Sequence, residues 1–166
     1  AMELVSSSKL QKAKARAEAA KPVHDILIQT LSDIRKDPGA KNSVFFTETS
    51  GEKSVYIIIA GDRGLAGGYN NNLFRAVDGH FGGNNILVIP IGKKALEYYK
   101  SHGHNLLSES YAVVGAVLPD DCRNIAEDLI EKFISGQIDR IYIAYNKFKS
   151  VLVQEPVILP ILPAMS

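Results

Sequence analysis

Gly61, Asp62, Arg63, Gly64, Gly67 and Gly68 belong to the octapeptide GDRGLAGG, the stretch best placed to do chemistry. An unbroken apolar run, VYIIIA at 55–60, leads into it, and a helix is expected to begin near Tyr69, with Asn70 and Asn72 in its first turn. Backbone N–H groups at such a strand-to-helix turn are able to cradle a phosphate. The spacing nevertheless matches neither glycine fingerprint, since no G-x-G-x-x-G and no G-x-x-x-x-G-K-[ST] occurs in the chain. Two readings follow: a tight turn with close strand–helix packing, for which glycine needs no ligand, and an anion site.

Other constellations are weaker. His102 and His104 stand two apart in an expected loop without an H-E-x-x-H pattern or neighbouring cysteines, so they read as surface histidines rather than metal ligands. No G-x-S-x-G elbow is present, which leaves a hydrolase triad without its nucleophile. Asp120 and Asp121 read as helix-starting residues. Cys122, beside Arg123, reads as buried filler rather than a lowered-pKa thiol. It is the only cysteine, so an internal disulfide is impossible and a reducing compartment is expected.

The elements that position the loop alternate between strand and helix. Residues 55–60 and 86–91 are continuous apolar strands of the kind buried on both faces of a sheet. Leu73, Phe74, Val77 and Phe81 share one face of the helix between them. Gly92 opens a second helix carrying Ala95, Leu96 and Tyr99. Residues 106–114 are a short strand or an irregular crossover. A third helix, capped by Asp120 or Asp121, is expected to bury Ile125, Leu129, Ile130, Phe133 and Ile134. Residues 140–145 form a further strand, 145–150 a turn, and 151–159 an antiparallel return at a sheet edge, where Pro156 is tolerated. The expected class is α/β: a mostly parallel, Rossmann-like sheet with helices on both faces, plus an N-terminal coiled-coil helix.

That helix spans residues 1–36. Ser6, Leu10, Ala13, Ala17, Ala20, His24, Leu27, Leu31 and Ile34 recur in alternating steps of four and three, the pattern of a coiled-coil seam. Alanines bury little area, so the seam is weak alone and needs a partner helix. The register runs through Pro22, so one long helix with a bend there is expected, a break with a fresh start being the alternative. The expected organisation is therefore 1–36 N-terminal coiled-coil helix, 37–53 linker, 54–163 α/β domain and 164–166 tail.

The 166 residues suffice for one domain, and no apolar run approaches the ~20 residues of a membrane span. No signal-peptide pattern is expected at the N-terminus. Net charge is +1, but residues 1–21 carry a local +3 from Lys9, Lys12, Lys14, Arg16 and Lys21 against Glu3 and Glu18. Without interleaved aromatics, this arm does not read as a nucleic-acid interface.

Three stretches carry a family resemblance. The start, AMELVSSSKL followed by Lys12 and Ala13, is similar to the N-terminal helix of the gamma subunits of F-type ATP synthases. Residues 61–72 resemble that family's D-R-G-L-C-G-G-x-N-x-N segment, with Ala66 where many members carry cysteine. Tyr145, Asn146, Lys147 and Phe148, with Gln154, Pro156 and residues 159–163, resemble its later Y-N-x-F…Q-x-P…L-P stretch. The resemblance covers nearly the whole chain and has a bacterial flavour.

It implies a non-catalytic rotor shaft. The N-terminal helix pairs with a C-terminal helix inside the ring of catalytic alpha and beta subunits. The α/β domain forms a foot against the epsilon subunit and the membrane-embedded c-ring. Proton-driven rotation is thereby coupled to ATP synthesis or hydrolysis elsewhere. On this resemblance Met2, Leu4, Val5, Lys9, Lys12 and Arg16 are shaft contacts with the catalytic ring, and Gly61–Gly68 with Asn70 and Asn72 form a structural loop. No cofactor, metal or nucleic acid is implied. The expected location is peripheral, on the cytoplasmic face of a bacterial plasma membrane. Measured against the family pattern, the match begins within the first helix and stops before the long C-terminal one, with 164–166 as tail or remnant.

Overall fold

The structure is a computed structural model that describes residues 1–64, 68–83, 85–150 and 152–164. It divides into two compact units, Ala1–Ser43 and Val44–Ser166.

The first unit is dominated by α1 (Met2–Lys36), an uninterrupted helix with no buried residue. Alanine and lysine, both strong helix formers, dominate residues 9–21. The helix continues through Pro22 as one long helix, so the alternative of a break there is set aside. In the heptad defined by the seam, Pro22 takes the outermost position, where the lost hydrogen bond and the ring's crowding of the preceding turn fall on the side away from the seam. α1 ends at Asp37, which adopts an extended conformation as residues before proline do. Asp37 then accepts a hydrogen bond from the Gly39 N–H at 2.7 Å, opening the 3₁₀ turn Pro38–Asn42.

The second unit is an α/β domain. Its five strands are β1 (Lys53–Ile59), β2 (Asn85–Ile91), β3 (Asn105–Leu106), β4 (Arg140–Phe148) and β5 (Gln154–Leu162), in sheet order β3-β2-β1-β4-β5. All pairs are parallel except β4–β5. The helices are α2 (Tyr69–His80), α3 (Lys93–Ser101) and α4 (Pro119–Ile134). The chain moves outward from β1 through β2 to β3, then crosses back to β4. Because parallel crossovers are right-handed, this reversal puts α4 on the face opposite α2 and α3.

Two cores result. Tyr56, Ile58, Val88 and Ala144 pack with Leu73, Phe74 and Val77 of α2 and Ala95 and Tyr99 of α3. Val55, Ile89, Ile91 and Ile141 pack with Ile125, Leu129 and Phe133 of α4. Alternate residues of β1 thus feed opposite cores, which explains why its sequence is apolar throughout. Phe81, just beyond α2, packs edge-on against Tyr56 at 4.8 Å.

Several expectations are corrected. β4 runs on to Phe148, so residues 145–148 are strand and not turn; pairing with β5 satisfies their backbone. The turn follows, where the Val153 N–H donates to the Ser150 carbonyl. The α4 N-cap is Leu118, whose N–H donates to the Asp121 carboxylate at 2.8 Å, so Asp121 works from inside the first turn and Asp120 is not the cap. Ile130 and Ile134 are exposed, because the buried stripe of α4 follows Ile125, Leu129 and Phe133 at four-residue steps and leaves them beside it. Cys122 is exposed, not buried filler. Phe45, in the segment expected to be linker, stacks on Phe133 at 6.1 Å and completes the second core.

Candidate functional site

The loop after β1 lies at the carboxyl edge of the sheet, beside the point where strand order reverses between β1 and β4. In open α/β folds that crevice takes the ligand. Here Asn146 of β4 is hydrogen-bonded to the first residue of α2 beside it.

Asp62 is the centre. Its Oδ1 accepts the Lys93 N–H at 3.0 Å and the Val114 N–H at 2.9 Å. Lys93 is the first residue of α3, so the carboxylate occupies the position an anion would take at that helix N-terminus. Burial pushes the Asp62 carboxyl up. The N–H groups of Val114, Lys93 and Gly115 and the charge of Arg63 outweigh it, leaving the group below its ordinary range.

Asn70 and Asn146 make further links. The Asn70 side chain accepts the Gly61 N–H at 3.0 Å and donates to the Arg63 carbonyl at 3.4 Å, tying the start of the loop to the first turn of α2. The Asn146 amide donates to the Tyr69 carbonyl at 2.8 Å. Asn146 lies on β4 beyond the last β1–β4 pair, so this bond spans the strand-order reversal.

The glycines differ from the expectation of close packing. A Cβ at Gly61 would meet Asn70 at 3.5 Å and one at Gly64 would meet Lys94 at 3.7 Å, both ordinary contacts. Gly68 is tighter, 2.8 Å from the Asn72 amide, but that neighbour is the end of a flexible side chain. The indispensable glycine is Gly92, with φ +98°, where a Cβ would fall 2.1 Å from the Ala60 carbonyl oxygen. It lets β1 and the β2–α3 turn come together, and its only sequence signal was its place before a helix. Leu65, Ala66 and Gly67 lie outside the described residues.

Beneath the loop, Asp78 of α2 accepts hydrogen bonds from Tyr98 and Tyr99 of α3. The hydrogen bond to Asp78, burial and the Asp78 charge push the Tyr98 phenol up to about 12. Tyr56, raised by burial to about 12, hydrogen-bonds His80 at 2.8 Å. This polar clamp between α2 and α3 was not anticipated, because nothing in a sequence pairs Asp78 with residues twenty positions on.

The remaining candidates do not assemble. His102 is exposed at the end of α3, and the His104 ring packs on Tyr99 and Phe81. Among the described residues no group of three or more His, Cys, Asp or Glu is placed to hold a metal.

The other candidate surface is α1. Its seam is solvent-exposed throughout, with Leu27 58 % and Leu31 46 % exposed. Met2, Leu4 and Val5 are exposed as well. In the seam's heptad, Leu4 and Val5 fall on outer positions, away from any single partner helix. Among the described residues no helix is long and apolar enough to cross a membrane.

The sequence model of the ATP synthase family matches residues 1–166. The chain belongs to that family. It is 38 % identical over 168 residues to an ATP synthase gamma chain of Ruminococcus albus, covering 98 % of this chain and 58 % of that one. It is 30 % identical over 164 residues to the sodium-ion-specific ATP synthase gamma chain of Acetobacterium woodii, covering 98 % of this chain and 54 % of that one. The chain thus spans somewhat more than half the length of these relatives. Among solved structures, it resembles a chain of the central stalk and c-ring of the Tetrahymena thermophila mitochondrial ATP synthase. That match has a TM-score of 0.53 at 17 % identity, covering 90 % of this chain and 71 % of that one. At such identity the likeness concerns the fold. The exposed helix and the hydrogen bonds of Asp62, Asn70 and Asn146 are therefore features of an ATP synthase family member.

Proposed function

We propose that this chain works as part of the central-stalk rotor of an ATP synthase, coupling ion-driven rotation of a membrane ring to catalysis performed by other subunits. On this reading it carries no catalytic residue of its own. α1 is one half of an antiparallel coiled coil seated inside a ring of alpha and beta subunits. The α/β domain is a foot that meets the epsilon subunit and the c-ring, peripheral to the cytoplasmic face of a bacterial membrane. Met2, Leu4, Val5, Lys9, Lys12 and Arg16 are the shaft's contacts with the surrounding ring. The coupling ion is a proton or, as the name of the Acetobacterium woodii relative indicates for that protein, sodium.

The observation that carries the reading is α1: 35 helical residues with an apolar seam and none buried. A helix of that length and exposure is built to be covered by something else. The loop supports the same view from the opposite direction. Asp62, Asn70 and Asn146 are engaged within the domain, and a carboxylate at the head of α3 repels the phosphate that a nucleotide module would bring.

Co-expression of the chain with alpha, beta and epsilon subunits tests the proposal. Co-elution as one complex on size exclusion is expected. Elution apart from all of them, together with micromolar binding of ATP, ADP or NAD by calorimetry, would replace the rotor reading with that of an independent nucleotide-binding module.

A further inference from the structure

We propose that α1 selects its partner helix by charge along only half its length, requiring acidic flanks opposite residues 9–21 and apolar flanks opposite residues 23–34. The inference rests on the coiled-coil reading of α1. Because the helix runs unbroken through Pro22, one heptad register applies from end to end. In that register Lys9 and Arg16 fall on one flank of the seam, and Lys14 and Lys21 on the other. These are the positions that face a partner's own flanks and set partner choice and orientation.

Both flanks of the first half are therefore basic. Glu18, the nearest acid of this stretch, sits on an outer position. Among the described residues none of the four cations forms an ion pair, although Lys36 farther along α1 pairs with Asp33 at 3.0 Å. The alanine seam between them draws a partner's backbone close, which brings flanking charges within reach of one another. Past Pro22 the flanks change character: Val23, Ile28 and Thr30 replace the cations until Arg35 in the last turn, and Val23 and Ile28 are exposed at 60 % and 53 %. A partner with acids along its whole length would bury charge against these two, and one without acids would leave the basic half repelling itself.

Lys9 and Arg16 stand at the boundary between partner and surroundings, so they serve the partner's flank and a surrounding ring together. Lys12, on an outer position, faces the surroundings alone. The charge step near Pro22 also gives the pair a polarity, because an antiparallel partner must carry its acids in its C-terminal half.

The test uses the full chain and two synthetic four-heptad helices with the same leucine and alanine seam. One carries Glu and the other Lys at the flanking positions of its C-terminal two heptads. Fluorescence anisotropy is read at about 20 mM and about 500 mM salt, where the screening length shrinks from roughly 20 Å to roughly 4 Å. The Glu helix is expected to bind at least about thirtyfold more tightly at low salt, with most of that preference lost at high salt. The fourfold reversal Lys9→Glu, Lys14→Glu, Arg16→Glu and Lys21→Glu, all at exposed positions, is expected to switch the preference to the Lys helix while circular dichroism stays unchanged. Equal binding of both helices overturns the charge rule and leaves the coiled-coil reading standing. Binding of neither, by either protein, overturns both.

Discussion

The Asp62 carboxylate lies 3.0 Å from the backbone nitrogen of Lys93, the first residue of α3, and 2.9 Å from that of Val114. One side chain thus joins the end of β1, the head of a helix and the crossover toward α4. Asp62→Ala is expected to destabilise the domain by about 1–3 kcal/mol, the typical cost of leaving donors without a charged acceptor. The folded-state pKa is lowered, so the stabilisation is fully present above the unfolded carboxyl range near ~3.9 and lost as pH falls through the lower folded value. Urea titrations of wild type and variant should therefore differ at neutral pH and converge in acid. A difference that persists or grows in acid would contradict the assignment.

Gly92 occupies a backbone region that is essentially reserved for glycine, and a Cβ there would collide with the Ala60 carbonyl. Gly92→Ala is expected to cost more than about 2 kcal/mol. Gly64→Ala, at a position with ordinary contacts and no positive φ, should lie within about 1 kcal/mol of wild type. Thermal melts of the two variants give the comparison, and a Gly64→Ala melt as low as that of Gly92→Ala would refute it.

Asn146 spans the strand-order reversal by donating to the Tyr69 carbonyl. Asn146→Asp replaces the donor with an acceptor and sets two oxygens against each other, so it should destabilise at least as much as Asn146→Ala, by about 1 kcal/mol or more. Equilibrium unfolding at neutral pH checks the order; an aspartate variant as stable as wild type would remove the bond from the account.

The phenols of Tyr56 and Tyr98 are both raised to about 12, the first mainly by burial and the second mainly by its hydrogen bond to Asp78. A raised folded-state pKa means that their contribution is intact below the unfolded value of ~10 and declines as pH climbs toward the folded one. Phenolate absorbance should therefore show these two ionising late, together with loss of circular dichroism. Release of all seven tyrosines near pH ~10 in a protein that remains folded would be inconsistent with the α2–α3 clamp.

Backbone amides of α1 should exchange with solvent far faster than those of β1. No residue of α1 is buried, whereas Val55, Tyr56 and Ile58 lie in the cores. Hydrogen-exchange mass spectrometry of the unpartnered chain reads this directly, and equal protection in the two elements would count against an exposed seam.

Local rules determined much of this molecule. The four-and-three spacing of Leu10, Leu27, Leu31 and Ile34 marks a helix by periodicity alone, and the pre-proline Asp37 marks its end. The apolar runs of β1 and β2 declare strands buried on two sides, and the run of motifs from GDRGLAGG to Asn146 marks the family. What the sequence left open depends on residues far apart along the chain. Ile130 and Ile134 have the spacing of core residues, yet only the placement of α4 on the sheet decides which stripe is covered. Residues 145–148 look like a turn until β5 supplies the partner that makes them strand. The glycine loop, read alone, supports both a phosphate site and a structural turn, because one-dimensional spacing does not say what fills the space beside a helix N-terminus. The tertiary structure brings Asp62, Asn70 and Asn146 there from separate segments and engages each in hydrogen bonds within the domain.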